Sequence, residues 1–255
     1  LRGVAACMGF IGHSLGGYPE HLVTKPAPFF EGIRNLGTFG VEIFFVLSGY
    51  VIYLSASRSR PGSFFHRRFW RIYPLFAFIT LLYVSLNATV GHDASKDNLA
   101  YLIPNLLFVD LYLSGVPSLA PNAWTISYEI WFYVLTFAAV YGLRTRRWAL
   151  WVPALLLSAL FLYRYPISLF YIWGVGLAVG VHPWRRLLHK TPAALANVLQ
   201  VIALVIILGL ASQDDYVYRW QTMLSGRTLI LMACLMTFIG LLFHPQSLIA
   251  KALSH

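Results

Sequence analysis

The apolar runs of this chain constrain its fold more than any other feature. Leu36–Leu54, Ala123–Leu143 and Ala193–Ala211 each carry about the 20 residues that a helix needs to cross a bilayer. Tyr73–Val90, Trp148–Leu162, Ile167–Val181 and Thr228–Phe243 are somewhat shorter, and Leu1–Gly17 reads as part of a further span. Inside hydrocarbon every backbone N–H and C=O needs a partner, so only helices and closed barrels span. Continuous apolar runs of this length are helices. The expected fold class is therefore all-α, a polytopic transmembrane helical bundle with about eight spans. Composition agrees: 58% hydrophobic residues, 11% charged residues and a mean hydropathy of +0.67 leave too little polar surface for a soluble domain. Leu99–Leu113 is apolar but interrupted by Pro104 and Asp110, and it reads as an interfacial or re-entrant segment. With no internal repeat and no low-complexity stretch, residues 1–255 read as a single transmembrane domain. The abrupt entry into the first helix and the stop just after a loop lead one to expect further chain at both ends.

The net charge of +10 has to be mapped loop by loop before it implies a partner. Numbering the connectors alternately puts thirteen of the 19 Lys and Arg on one side, including the basic loops Ser55–Arg71, Arg144–Arg147 and His182–Lys190, and six on the other. The positive-inside rule assigns the first side to the cytoplasm, which gives a multi-pass inner-membrane protein with basic loops inside. The charge is thus mostly an orientation signal, and no nucleic-acid partner is implied. Cys7 and Cys234 both lie in apolar stretches, so neither a disulfide framework nor a zinc site is indicated, and no metal is expected.

Against this apolar background the ionisable residues stand out. Arg2 and His13 are eleven residues apart, which is close to three whole helical turns. They share a face and differ in depth by ~16 Å. With the orientation above, His13 lies in the outer half of the first helix. Glu42 lies ~9 Å below Leu36, and Glu129 lies ~9 Å below Ala123. Three helices thus place His13, Glu42 and Glu129 at similar depth. Charges inside a membrane pair with one another or face a cavity. Taken singly, each also fits a structural polar contact between helices. A neutral imidazole near a carboxylate is general-base equipment, able to take a proton from a hydroxyl. It serves equally well as a proton relay in a transporter.

The loop SRPGSFFHRRFWR holds Arg67, Arg68 and Arg71. If Phe65–Tyr73 is helical, Arg68 and Arg71 share a face and present two guanidinium forks suited to phosphate oxygens. Plain anchoring at the interface, with Trp70 and Tyr73, is the alternative.

Four stretches resemble the membrane-bound acyltransferase-3 family, whose bacterial members O-acylate cell-envelope glycans. LRGVAACMGFIGHS is similar to the family's opening helix. FGVEIFFVLSGYVIY is similar to its second helix, with Glu42 where Asp is usual. RRFWRIYP is similar to its R-x-x-R segment, and PNAWTISYEIWFYVL to its Trp-Ser-Leu…Glu…Phe-Tyr helix, with Thr125 where Ser is common. The family usually has ten helices, and the last two, with their histidine-bearing segment, have no counterpart here.

The resemblance implies an O-acyltransferase, an O-acetyltransferase in chemical class, that takes acyl-CoA (acetyl-CoA) from the cytoplasm as co-substrate. The acceptor it implies is a saccharide or lipid-linked saccharide. Arg67, Arg68 and Arg71 would hold the donor's phosphates, and its thioester arm would run along the Arg2–His13 line. His13 would be the base, Glu129 would orient it or the acceptor, and Glu42 would assist. The longer Glu42 side chain could move that carboxylate out of a required hydrogen bond. A proton-coupled transporter or exporter using the same His/Glu cluster is the competing reading, and it has no use for the R-x-x-R pair.

Overall fold

A computed structural model describes residues 7, 28–90, 99–120, 124–188, 190–211, 224–242, 244 and 247–249. Among these residues there are eight α-helices and no strand. They are α1 (Pro28–Arg58), α2 (Pro61–Val90), α3 (Leu102–Leu106), α4 (Trp124–Arg144), α5 (Trp148–Arg164), α6 (Ser168–Leu188), α7 (Ala193–Ala211) and α8 (Gly226–Leu241). Short 3-10 turns at Leu99–Tyr101 and Asp110–Tyr112 flank α3. Four stretches are long and apolar enough to cross a membrane: Phe39–Arg58, Pro61–Thr89, Trp124–Arg144 and Ala193–Leu210. Trp148–Arg164, Ser168–Gly180 and Gly226–Leu241 are shorter apolar helices. The molecule is a helical membrane bundle. Leu75, Phe78, Leu81 and Leu86 on α2 are all exposed. In water such a stripe would drive association; in lipid it faces a solvent as apolar as itself.

Three helices extend well beyond their apolar runs, and the third, α6, continues to Leu188 through most of the basic stretch expected as the loop His182–Lys190. α1 starts at Pro28, eight residues before Leu36, because proline suits the first helical position and the polar residues Glu31 and Arg34 tolerate a helix. Glu42 therefore sits ~21 Å from the first residue of its helix rather than ~9 Å, and three residues inside the apolar stretch that opens at Phe39. The basic loop expected at Ser55–Arg71 is a break of only two residues, Ser59 and Arg60, between α1 and α2. Pro61 again opens the helix. At 30 residues α2 is ~45 Å long, more than the ~30 Å hydrocarbon core requires. Its apolar part is Tyr73–Val90, so the surplus falls on the end that carries the arginines.

Contacts divide the protein into two compact units, Leu1–Val51 with Ser158–His255, and Ile52–Leu157. In the first, α1 and α6 cross at glycines. A Cβ on Gly49 would overlap the Tyr171 carbonyl, and one on Gly174 would overlap the Val46 carbonyl. Small residues that admit backbone against backbone are the means by which membrane helices pack, since apolar burial gives little drive between them. α7 and α8 pack along Ala196, Leu231, Leu235 and Leu241, all buried. Buried Gln200 accepts from Ser247 Oγ at 2.9 Å, and His244 Nε2 lies 3.3 Å from the Thr191 carbonyl. Arg227 donates to the Leu210 carbonyl at 2.6 Å, satisfying an orphan acceptor at the end of α7.

In the second unit, Leu99–Ala120 forms a compact segment that does not span, as Pro104 and Asp110 lead one to expect. Its polar backbone is held by Asn105, which is only 2% exposed. The Asn105 amide donates to the Tyr101 and Pro117 carbonyls at 2.9 and 3.1 Å, and its Oδ1 accepts from the Leu119 N–H at 2.9 Å. Phe108 takes φ +59°, which aims its ring at Phe76 with centroids 4.6 Å apart. Non-helical backbone at a membrane survives only when protein groups satisfy it in this way.

Candidate active site

The clearest cluster of polar groups lies between α2 and α4 in the second unit. Arg68 is 8% exposed. Its guanidinium carbon stands 4.8 Å from the centre of the Tyr133 ring and 5.3 Å from that of Phe64. Phe137 closes the slot, its ring 4.8 Å from Phe64. Arginine suits such a place because its planar, weakly hydrated cation stacks on aromatic faces. Desolvated pairs of this kind are worth about 2 kcal/mol. Lysine would keep the charge but lose the plane.

One turn apart on α4, Tyr133 and Glu129 meet directly. The Tyr133 hydroxyl donates to Glu129 Oε1 at 2.6 Å. Both are buried, at 3% and 5% exposure. Positions i and i+4 share a helix face, which is why the spacing Glu-x-x-x-Tyr delivers this bond. The cation, the phenol and the carboxylate thus form one chain of contacts from α2 into α4. Arg68 Nη1 is buried and, among the described residues, has no hydrogen-bond partner. An unmade bond at a buried donor costs about 1–3 kcal/mol, and more when the group is charged. An anion placed there would recover it.

The other expected site residues fall as follows. Arg67 and Arg71 are exposed, and Arg67 Nη2 donates to Ser59 Oγ at 2.8 Å. Arg68 and Arg71 are one i, i+3 step apart on α2, but α4 covers the first and leaves the second open. Glu42 is buried at 2% exposure in the first unit. Arg2 and His13 lie outside the described residues. Among the described residues, no group of three or more His, Cys, Asp or Glu is placed to hold a metal ion.

Sequence reasoning placed Tyr133 in the Phe-Tyr of the fourth motif but gave it no role, although its i+4 offset from Glu129 was the available signal. It also passed over Ser127, because a serine in an apolar helix is ordinary. Ser127 Oγ donates to Asp110 Oδ1 at 3.2 Å, tying the non-spanning segment to α4. Burial pushes the Asp110 carboxyl above its ordinary value, and the hydrogen bonds from Ser127, the Asp110 and Leu111 amides and Ser118 oppose this only in part.

Comparison with known proteins identifies the scaffold on which these groups stand. The chain is 29% identical over 157 residues to the O-acetyl transferase of Shigella phage Sf6, a match covering 56% of this chain and 45% of the phage protein. It is 32% identical over 117 residues to acyltransferase MdmB of Streptomyces mycarofaciens, covering 44% of this chain and 30% of that protein. The matched stretches thus span less than half the length of either relative. No solved structure matches the chain. The acyltransferase-3 family model, described as an acyltransferase domain, matches residues 1–254. The chain therefore belongs to the acyltransferase-3 family.

Proposed function

We propose that this protein is an integral membrane O-acyltransferase that moves an acyl group, acetyl in the simplest case, from cytoplasmic acyl-CoA to a hydroxyl of a cell-envelope saccharide or lipid-linked saccharide. The observation that carries the donor half of this reading is the buried Arg68 guanidinium, whose Nη1 has no partner among the described residues. A phosphate oxygen of CoA satisfies that donor with a charge-assisted bond, the strong class of hydrogen bond. Exposed Arg67 and Arg71 on the same turns of α2 supply further charge for the remaining phosphates, and Arg2 guides the thioester arm into the membrane.

In the chemical step His13 takes the proton of the acceptor hydroxyl. The oxygen attacks the thioester carbonyl carbon, the C–S bond breaks, and the departing thiolate recovers a proton from the imidazolium. Glu129 orients the base or the acceptor, and Glu42 assists. The printed name of the phage relative, an O-acetyl transferase, supports an oxygen acceptor and an acetyl donor. The positive-inside distribution of Lys and Arg supports the cytoplasmic side for the arginine end of α2.

The test uses the full-length protein in proteoliposomes or native membranes, supplied with acetyl-CoA labelled in the acetyl group. Label appearing in envelope saccharide, and lost in His13→Ala, is the expected result. Thermal-shift titration with acetyl-CoA reports binding separately. No stabilisation at millimolar ligand, together with no label transfer, overturns the reading in favour of a proton-coupled transporter.

A further inference from the structure

Tyr133 makes two contacts of different kinds with two groups of different charge. Its ring face receives the Arg68 guanidinium at 4.8 Å, and its hydroxyl donates to Glu129 Oε1 at 2.6 Å. The phenol is anchored from the side as well, with the Phe64 ring edge-on at 6.2 Å. Glu129 and Tyr133 sit on one rigid helix, while Arg68 comes from another. Any displacement of the guanidinium is therefore felt first by the ring. We infer that Tyr133 is a positioning residue: it holds the Glu129 carboxylate in place and reports the occupancy of Arg68 to it.

A cation over the face of a phenol withdraws electron density from the ring and makes its O–H a better donor. In a low-dielectric surrounding this strengthens the bond to Glu129, since neighbouring polar contacts reinforce one another there. When an anionic group binds Arg68 Nη1, part of the cation's charge is neutralised and the guanidinium is drawn toward the anion. The hydroxyl then donates less strongly, and Glu129 is released to its other contacts. Donor arrival on α2 is converted into a change at the carboxylate on α4 with no backbone movement. The inference rests on the reading of Arg68 as the donor's anion site; the hold of Tyr133 on Glu129 does not.

Infrared difference spectra of the full-length protein in lipid bilayers test it, recorded with acetyl-CoA washed on and off. Glu129→Gln identifies the Glu129 carboxyl band by its loss. In the wild type that band shifts on acetyl-CoA binding. In Tyr133→Phe, which keeps the ring and its packing, acetyl-CoA affinity by thermal shift stays within about twofold, the band stands at a new position before ligand is added, and the ligand-induced shift disappears. Turnover in Tyr133→Phe falls about tenfold or more with little change in the KM for donor, and Tyr133→Phe combined with Glu129→Gln is no worse than Glu129→Gln alone. A Glu129 band that shifts equally in both proteins, or that stays still in a wild type that binds acetyl-CoA, overturns the relay. A Tyr133→Phe band unmoved before ligand overturns the hold. If the wild type binds no acetyl-CoA, the donor reading of Arg68 fails and the relay with it, while the ligand-free band still decides the hold.

Discussion

Ser127 and Asp110 are seventeen positions apart, and the serine hydroxyl closes that distance by donating to Asp110 Oδ1 at 3.2 Å. Both groups are buried, at 2% and 4% exposure. Burial raises the Asp110 carboxyl from its ordinary 3.8. An acid whose folded value is raised favours the native state when protonated. That contribution is complete below the unfolded value and is lost as pH rises through the folded one. Wild-type unfolding temperature is therefore expected to fall, relative to Asp110→Asn, as pH is raised from about 4 toward neutrality. Scanning fluorimetry of both proteins across that range checks it, and parallel pH profiles would remove burial as the cause.

Asn105 makes three bonds to backbone, one to Tyr101 at the start of α3 and two to the irregular stretch at Pro117 and Leu119. Asn105→Ala leaves all three partners without it inside the protein. A loss of about 2–4 kcal/mol follows from the cost of unmade buried bonds. Asn105→Asp keeps an acceptor for the Leu119 N–H but faces the Tyr101 and Pro117 carbonyls with no donor, so it is expected to be no better. Thermal unfolding of the purified variants measures both.

The glycines of α6 are not equivalent. A Cβ at Gly174 meets the Val46 backbone, whereas one at Gly176 meets nothing within 4 Å. Gly174→Ala is expected to destabilise by about 3 kcal/mol or more, because backbone cannot yield as a side chain can. Gly176→Ala is expected to be neutral or to stabilise by up to ~1 kcal/mol through helix propensity. Equal behaviour of the two variants in a thermal-unfolding comparison would deny the close crossing.

Arg68 and Arg71 separate two roles that spacing alone leaves merged. Arg68→Lys is expected to weaken acetyl-CoA binding about ten- to a hundredfold, or ~1.5–3 kcal/mol, since lysine neither stacks between Phe64 and Tyr133 nor offers a planar fork. Arg71→Lys, at an exposed position, is expected to weaken it less, because a water-screened contact is worth less. Affinities for the two variants, with folding verified, decide the matter. Unchanged affinity in both would make the arginines membrane anchors and favour a transporter.

The sequence made the helices legible because twenty apolar residues in a row allow few other outcomes. It also marked Leu99–Leu113 as different, since Pro104 and Asp110 disrupt a span. It misjudged the ends of α1, the start of α2 and the end of α6. Hydropathy reads where lipid stops, and a helix can continue past that level as long as its residues tolerate it. The R-x-x-R spacing correctly put Arg68 and Arg71 on neighbouring positions of one helix. It could not show that Phe64, Tyr133 and Phe137 would enclose only the first, because that depends on where α4 packs. Tyr133 was within reach of a simple i, i+4 rule. Asn105 was not, since Pro117 and Leu119 lie in a stretch with no periodicity to betray them.

The ties that Asn105 and Ser127 provide also imply an order of assembly. Leu99–Ala120 leaves the ribosome before Ser127 does. Until α4 has been synthesised and inserted, Asp110 lacks the hydroxyl that closes the segment against it. A carboxyl without that bond gains nothing from entering hydrocarbon alone. The segment is therefore expected to stay in the aqueous interface until the following helix has inserted. Insertion of the spans and completion of this unit are separate events in time, with α4 as the step between them.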